Sequence, residues 1–215
     1  MSEILFSKSR LEASCFKPGQ LILPDKNIPE IAVAGRSNVG KSSLINALLN
    51  TRIAKTGSTP GKTRSINFYR VTTLEGCKEF RLVDLPGYGY AERSKAERND
   101  WEKLISAYIK DRENLELVLH LVDFRHGLLA NDKKLQEWIR TNGKEILVVF
   151  TKSDKVPKTK WLSMRQQYVK EGLYSCNVPV ITSSALKKGF IELRMAISGR
   201  LEHPACCLGG SRSIH

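Results

Sequence analysis

The chain has 215 residues, of which 41% are apolar and 27% charged. That length and balance fit one domain with a real core and exclude a disordered chain over most of the length. No apolar run approaches the roughly 20 residues that a membrane-spanning helix needs, so a spanning protein is excluded as well.

The opening stretch MSEILFSKSRLEAS has no apolar signal core followed by a small-residue cleavage site, so a cytoplasmic protein is expected. Cys15, Cys77, Cys176, Cys206 and Cys207 are odd in number and irregularly spaced. With neither a CxxC pair nor a Cys/His zinc pattern, they read as reduced thiols. The unusual quantity is charge: 35 Lys and Arg against 22 Asp and Glu give +13. Such a surface attracts polyanions, whether nucleic acid, acidic lipid or a phosphorylated ligand.

The basic residues cluster. Between Glu30 and Glu75 no acidic residue occurs, while Arg36, Lys41, Arg52, Lys55, Lys62, Arg64 and Arg70 do. A second acid-free run carries Lys155, Lys158, Lys160, Arg165 and Lys170. No amphipathic anchor or lipidation motif accompanies either run, so a membrane partner is not expected.

Along the chain, strand-like apolar runs at 31–34, 66–73, 80–85, 115–124, 145–150 and 178–182 alternate with helix-like stretches. The helices are expected at 41–49, 91–110, 131–141, 159–171 and 187–201. This alternation predicts an α/β fold with a mostly parallel six-stranded sheet and helices on both faces. Residues 1–29 are read as an N-terminal arm, 30–202 as a single domain and 203–215 as a flexible C-terminal tail.

Residues 35–42, Gly35, Arg36, Ser37, Asn38, Val39, Gly40, Lys41 and Ser42, match GxxxxGK[ST] between a strand-like run and a helix-like one. Glycines let the backbone curl its N–H groups toward phosphate oxygens, and the helix start adds partial positive charge. Lys41 is suited to the β- and γ-phosphates, and the Ser42 hydroxyl to Mg²⁺. The motif predicts a three-layer P-loop NTPase fold. It leaves open which nucleotide binds and whether the γ-phosphate is hydrolysed or transferred.

Three further segments narrow that choice. Asp84, Leu85, Pro86 and Gly87 end a strand, where a carboxylate can hold Mg²⁺ through a water and the Gly87 N–H can sense a γ-phosphate. Thr151, Lys152, Ser153 and Asp154 resemble the NKxD guanine-recognition motif of GTPases, with Thr in place of Asn. The Asp154 carboxylate can accept from guanine N1–H and its 2-amino group, which adenine does not offer in that arrangement. The Lys152 stem can cover the base plane. Thr182, Ser183, Ser184 and Ala185 resemble a fifth GTPase signature, whose backbone amides would meet guanine O6.

Between the first helix and the second strand lies a loop where a threonine can close over Mg²⁺ and γ-phosphate. Thr59 and Thr63 both qualify. The PGxTR spacing, which resembles that of several bacterial switch GTPases, selects Thr63, flanked by Gly61, Lys62, Arg64 and Ser65.

These elements occur in GTPase order and together resemble the translation-factor-related class of P-loop GTPases. More narrowly, GRSNVGKSSLIN, STPGKTRSINFY, DLPGYGYA and TKSDK are similar to the EngB family, over about residues 20–202. The extension through Tyr88 and Tyr90 and the threonine at 151 are similar to that family in particular. The resemblance implies a small GTPase-like fold, GTP and GDP as ligands, Mg²⁺ as cofactor, and a cytoplasmic switch in assembly of the large ribosomal subunit. A link to cell division and septation is implied with it. The partner would be the large subunit or its rRNA–protein precursor, and the chain is read as a monomer.

Ras-like proteins carry a water-orienting glutamine after the DxxG glycine. Here that position is Tyr88, so intrinsic turnover is expected at or below roughly 10⁻⁴ s⁻¹. Asn38 resembles a P-loop asparagine that in related GTPases helps bind K⁺; the other reading is that it braces the loop. Tyr88 and Tyr90 are read either as partner contacts or as core aromatics, and His120 and His126 as structural or surface residues. A nucleotide-gated RNA-binding module with incidental hydrolysis, and a small-molecule P-loop kinase, are the competing functions.

Overall fold

The computed structural model describes residues 6–55, 65–73, 79–89, 94–110 and 112–202. Among them, seven strands and five α-helices follow in the order β1 (Phe6–Cys15), β2 (Glu30–Gly35), α1 (Lys41–Leu49), β3 (Ile66–Thr73), β4 (Glu79–Asp84), α2 (Lys95–Lys110), β5 (Leu115–Asp123), α3 (Ala130–Thr141), β6 (Ile146–Thr151), α4 (Trp161–Lys170), β7 (Val180–Ile181) and α5 (Phe190–Glu202). The strands form one sheet in the order β1-β3-β4-β2-β5-β6-β7. β4, β2, β5, β6 and β7 run parallel, and β3 and β1 close one edge antiparallel.

The central strands are buried throughout because each face of the sheet carries its own core. Ala32, Val118, Val122, Val148 and Phe150 pack with Leu104, Tyr108, Leu135 and Tyr168, so α2, α3 and α4 cover one face. Their sequence neighbours Ile31, Val33, Leu119, Leu121 and Val149 pack with Leu44, Leu48, Leu193 and Ile197, so α1 and α5 cover the other. Period-two alternation thus survives as alternation between two cores, and the strand reads as one continuous apolar run.

The six-stranded expectation is corrected to seven, and the extra strand lies in the stretch read as an arm. β1 is an edge strand in which Cys15 alone of the described side chains is fully buried, and register shifts between Phe6 and Lys8 and between Leu11 and Ala13 break its alternation. Irregular edges of this kind erase the periodic signal that marks a strand. Ion pairs help hold it: Glu12 takes the Arg81 guanidinium at 2.9 Å. That contact and the neighbouring arginines hold the Glu12 carboxyl below its ordinary range.

Helix ends differ from expectation for local reasons. α2 begins at Lys95 because Ser94 and Glu97 form a reciprocal cap, Glu97 N–H to Ser94 Oγ (3.2 Å) and Ser94 N–H to Glu97 Oε2 (3.1 Å). α5 begins at Phe190 because Lys187 and Gly189 adopt positive φ, which ends any helix running in from 187. The tail from 203 lies outside the described residues. No helix among the described residues is long and apolar enough to cross a membrane.

At the amino-terminal end of β2, Glu30 is fully buried. It accepts from Tyr108 Oη (2.9 Å), Arg112 Nε and Nη2 (both 2.8 Å) and Arg81 Nη1 (3.3 Å). Arg112 also lies over the rings of Phe68 and Tyr108. Removing the carboxylate strands the nearly buried Arg112 guanidinium and leaves Arg81 with Glu12 alone, which costs about 3–5 kcal/mol. Glu30→Ala is therefore expected to lower the urea midpoint markedly, whereas Lys26→Ala, which breaks only the exposed Lys26–Glu113 pair, leaves it unchanged within error.

Candidate functional site

The parallel strands β2, β4, β5 and β6 end along one rim of the sheet, at Gly35, Asp84, Asp123 and Thr151. The chain reverses its direction of travel across the sheet at β2, and such a crevice is where open α/β sheets bind ligands. Residues 35–42, 84–87, 151–154 and 182–185 each lie at or just after one of these strand ends or that of β7.

After β2 the chain curls through Asn38 (φ 62°) and Gly40 (φ 103°) before α1 begins. Left-handed residues alternating with right-handed ones turn successive N–H groups into one concavity, a preformed anion nest. Lys41, the first residue of α1, is nearly buried and forms an ion pair with the equally buried Asp84 at the end of β4. Ser42 is half-buried beside it. The Ser42 hydroxyl and the Asp84 carboxylate are hard oxygen donors. This set is too small for an all-protein cage and suits Mg²⁺ carried mainly by phosphate and water.

Beyond Asp84, the strand end folds back onto the nest. Leu85 N–H donates to Val33 O (3.0 Å), Ser37 N–H to Tyr88 O (3.0 Å) and Tyr88 N–H to Gly35 O (3.3 Å). A Cβ on Gly87 would lie 3.1 Å from the Ser37 nitrogen and 3.2 Å from its Cα, so any side chain would push the two segments apart by a few tenths of an ångström.

The residues after β6 reach the same loop from the far side. Thr151 Oγ1 donates to Val39 O (2.7 Å), and Lys152 Nζ donates to Asn38 O (2.8 Å). Lys152 adopts φ 57° and also meets Asp123 at 3.0 Å. Asp123 was not singled out in the sequence. Burial pushes its carboxyl up, but bonds from Arg125 and Lys152 overcome that and hold it well below the usual range. An acid at a strand end with an arginine two residues on was the available signal.

Asp154 sits in a short 3-10 turn, Ser153–Lys155, and accepts from Ser183 Oγ at 2.7 Å. Ser183 itself is fixed by a backbone bridge to Lys188 (3.1 and 3.0 Å) and receives the Leu186 N–H on its hydroxyl (3.2 Å). Ser153 N–H donates to Thr182 O (3.2 Å), so the two loops form one unit. The Ser183 hydrogen bond, ahead of the nearby Lys155 charge, holds the Asp154 carboxyl below its ordinary value.

Residues 35–42, 84–87, 151–154 and 182–183 are thus linked by direct contacts. Ser184 is half-buried and Ala185 exposed on the same loop. Ser65 stands apart, buried before β3 and bonded to Asn67 (3.1 Å). Gly61, Lys62, Thr63 and Arg64, with Thr59 and Tyr90, lie outside the described residues. Tyr88 is a core residue, and His120 is buried against it. His126 is exposed. Asn38 accepts the Lys152 ammonium on its backbone carbonyl, a contact distinct from the bracing by its amide that the sequence suggests.

A family model described as 50S ribosome-binding GTPase matches residues 30–152. The chain is 44% identical over 191 residues to a probable GTP-binding protein EngB of Kosmotoga olearia, covering 88% of this chain and 97% of the relative. It is 41% identical over 197 residues to the protein of the same description from Bacillus subtilis, covering 89% and 95%. Among solved structures, a probable GTP-binding protein engB superposes with a TM-score of 0.64 at 22% identity, covering 80% of this chain and 98% of the other. Aquifex aeolicus Era bound to GDP.AlF4- gives 0.67 at 21% identity, covering 88% of this chain and 60% of Era. At these identities the two structures speak for the fold alone.

The Asp154 geometry sets an acid limit. A carboxylate with a lowered pKa stays ionised, and able to accept, further into acid than an ordinary one, and loses that ability only as pH falls through the lowered value. Ser183→Ala removes the main cause of the lowering. Titration of a fluorescent GDP analogue at decreasing pH is expected to show its affinity failing at a higher pH in Ser183→Ala than in the unsubstituted chain.

Proposed function

This chain belongs to the EngB family of GTP-binding proteins and is a GTPase, and from that premise we propose that it is a cytoplasmic, Mg²⁺-dependent switch in assembly of the large ribosomal subunit. The observation that carries the GTP part of this reading is the convergence of the Lys41, Asp84 and Lys152–Asp154 segments on one rim through the contacts described above. The ribosomal part is supported by the net charge of +13 and by the description of the matching family model.

In this reading the N–H groups of residues 35–42 and the Lys41 ammonium bind the phosphates. Lys41 already faces Asp84, so an entering phosphate exchanges one anionic partner of the ammonium for another. Ser42, Asp84 and Thr63 are the residues that would hold Mg²⁺, Asp84 through a water; the ion supplies charge neutralisation at the β- and γ-oxygens. Asp154 accepts guanine N1–H and the 2-amino protons, the Lys152 stem lies along the base, and the amides near Ala185 meet O6. Gly87 N–H senses the γ-phosphate.

Hydrolysis then depends on orienting a water, and here the chain is poorly equipped. The Tyr88 hydroxyl is bonded inward to Asp132 at 2.6 Å and is not free to serve as a glutamine would. Slow turnover by the isolated chain follows, with acceleration left to the partner. The chain acts as a monomer in this reading, and the division and septation link of the family is carried with it.

Two measurements test it. Asp154→Asn replaces an acceptor-only group with one that also donates, so GDP affinity is expected to fall about 100-fold while xanthosine diphosphate, which bears oxygen at C2, gains relative to GDP. An unchanged preference for guanine would remove Asp154 from base recognition. Co-sedimentation with purified large ribosomal subunits is expected to retain the chain with a non-hydrolysable GTP analogue, surviving moderate salt, and less so with GDP. Equal and salt-sensitive retention in every nucleotide state would mean that charge alone binds a polyanion, and the ribosomal reading would fall.

A further inference from the structure

Tyr88 follows Gly87 and is almost fully buried, its ring 6.3 Å from both Trp101 on α2 and the imidazole of His120 on β5. Its hydroxyl donates to Asp132 Oδ1 at 2.6 Å and lies 2.7 Å from His120 Nε2. A phenol has one proton, and here the carboxylate takes it. His120 Nε2 must then carry the hydrogen that points at the Tyr88 oxygen.

The far side of the ring agrees with that assignment. Gln136 Nε2 lies 3.1 Å from His120 Nδ1. The amide is oriented by Tyr174, whose carbonyl accepts from Gln136 Nε2 and whose N–H donates to Gln136 Oε1, both at 3.2 Å. With the amide so oriented, Nδ1 is the accepting nitrogen and Nε2 carries the hydrogen toward Tyr88. Asp132 Oδ2 accepts from Leu129 N–H at 2.8 Å, which anchors the carboxylate to the start of α3. Asp132 and Gln136 are one helical turn apart and share a face. Each polar atom of the four side chains has a partner.

The backbone of the same segment is tied elsewhere. Tyr88 exchanges backbone hydrogen bonds with Gly35 and Ser37, and Trp101 Nε1 donates to Pro86 O at 2.9 Å. Gly87 lies between these ties, packed against Ser37. Packing alone does not account for the cluster. A phenylalanine would fill the space without requiring a buried carboxylate, and a buried carboxylate is costly unless fully bonded. Burial pushes the Asp132 carboxyl up, and the nearby His120 imidazole, the Tyr88 hydroxyl and the Leu129 N–H bring it below its ordinary value.

We propose that Tyr88, Asp132, His120 and Gln136 form a latch that fixes Gly87 against the P-loop, which makes Tyr88 a positioning residue for γ-phosphate recognition and ties α3 to the nucleotide state. The proposal rests on the reading of Gly87 as the γ-phosphate contact. Its consequence is selective: the diphosphate makes no contact with Gly87, so loosening the latch penalises the triphosphate and its hydrolysis.

Tyr88→Phe keeps the ring and removes the hydroxyl. It is expected to lower single-turnover GTP hydrolysis and the affinity for a non-hydrolysable GTP analogue by about tenfold each, with GDP affinity held within about twofold. Asp132→Asn leaves an acceptor for Tyr88 but loses the charge, and is expected to act in the same direction with smaller effect; it serves in the same assays if Tyr88→Phe does not fold. Hydrogen exchange over residues 84–89 in the analogue-bound state is expected to quicken in both variants. Wild-type turnover and a wild-type ratio of analogue to GDP affinity in both, with only a lower melting temperature, would overturn the latch and leave a core cluster. A Gly87→Ala chain that binds the analogue as tightly as the unsubstituted chain does would overturn the Gly87 reading and the latch with it, a failure told apart by not involving Tyr88 at all.

Discussion

A lysine and an aspartate, each with less than a tenth of its side chain exposed, face one another at the centre of the site. Either charge buried alone would cost several kcal/mol, so the position of each is dictated by the other. The pair pins the first residue of α1 to the last residue of β4, and with it the phosphate loop to the segment that runs on through Pro86 and Gly87. The backbone bonds from Ser37 N–H to Tyr88 O and from Tyr88 N–H to Gly35 O close the same joint. An anion entering the loop competes for the Lys41 ammonium, and Asp84 and everything anchored to it must respond. In a GTPase this is the physical basis for a nucleotide being felt beyond its own contacts.

The base side is coupled to the phosphate side by equally short paths. Thr151 stands where the related motif has asparagine, and its hydroxyl still ties the end of β6 to the carbonyl of Val39. As a β-branched residue it also suits the last position of a strand better than asparagine would. Lys152 spans from its own loop to Asn38 and is steadied by Asp123 on the intervening strand. Three adjacent strand ends, β2, β5 and β6, are therefore cross-linked by side chains at the rim where their backbone ladders stop.

What was legible in the sequence was contiguous. Residues 35–42, 84–87 and 151–154 each join a strand end to the loop that follows it in one short string, and each lies at the end of a parallel strand. The two-layer core was legible because central strands buried on both faces leave unbroken apolar runs. What escaped was non-contiguous or irregular. β1 escaped because its bulges destroy alternation and its edge position leaves it polar. Asp123 escaped because a lone carboxylate after an apolar run has the same appearance whether it meets solvent or a lysine from another loop. The Tyr88, His120 and Asp132 cluster escaped for a related reason: its members lie far apart in the chain, and buried polar residues are chosen to suit one another and follow no period.

The charge of the chain is displayed mainly at its surface. Several carboxylates face inward and are satisfied there: Glu30 by Arg81 and Arg112, Asp84 by Lys41, Asp123 by Lys152 and Arg125, Asp132 by neutral donors. Buried acids and bases largely cancel within these clusters, so the excess of +13 must be carried mostly by the surface. Part of it lies on Lys155, Lys158, Lys160 and Lys170, which are exposed on the turn after Asp154 and along α4. At physiological ionic strength charges act over only about 8 Å, so a polyanion senses such a patch locally and not the molecule as a whole. That patch starts one residue beyond the carboxylate read as the guanine acceptor, which puts any anionic surface docked there in contact with the loop whose geometry Ser183 holds in place.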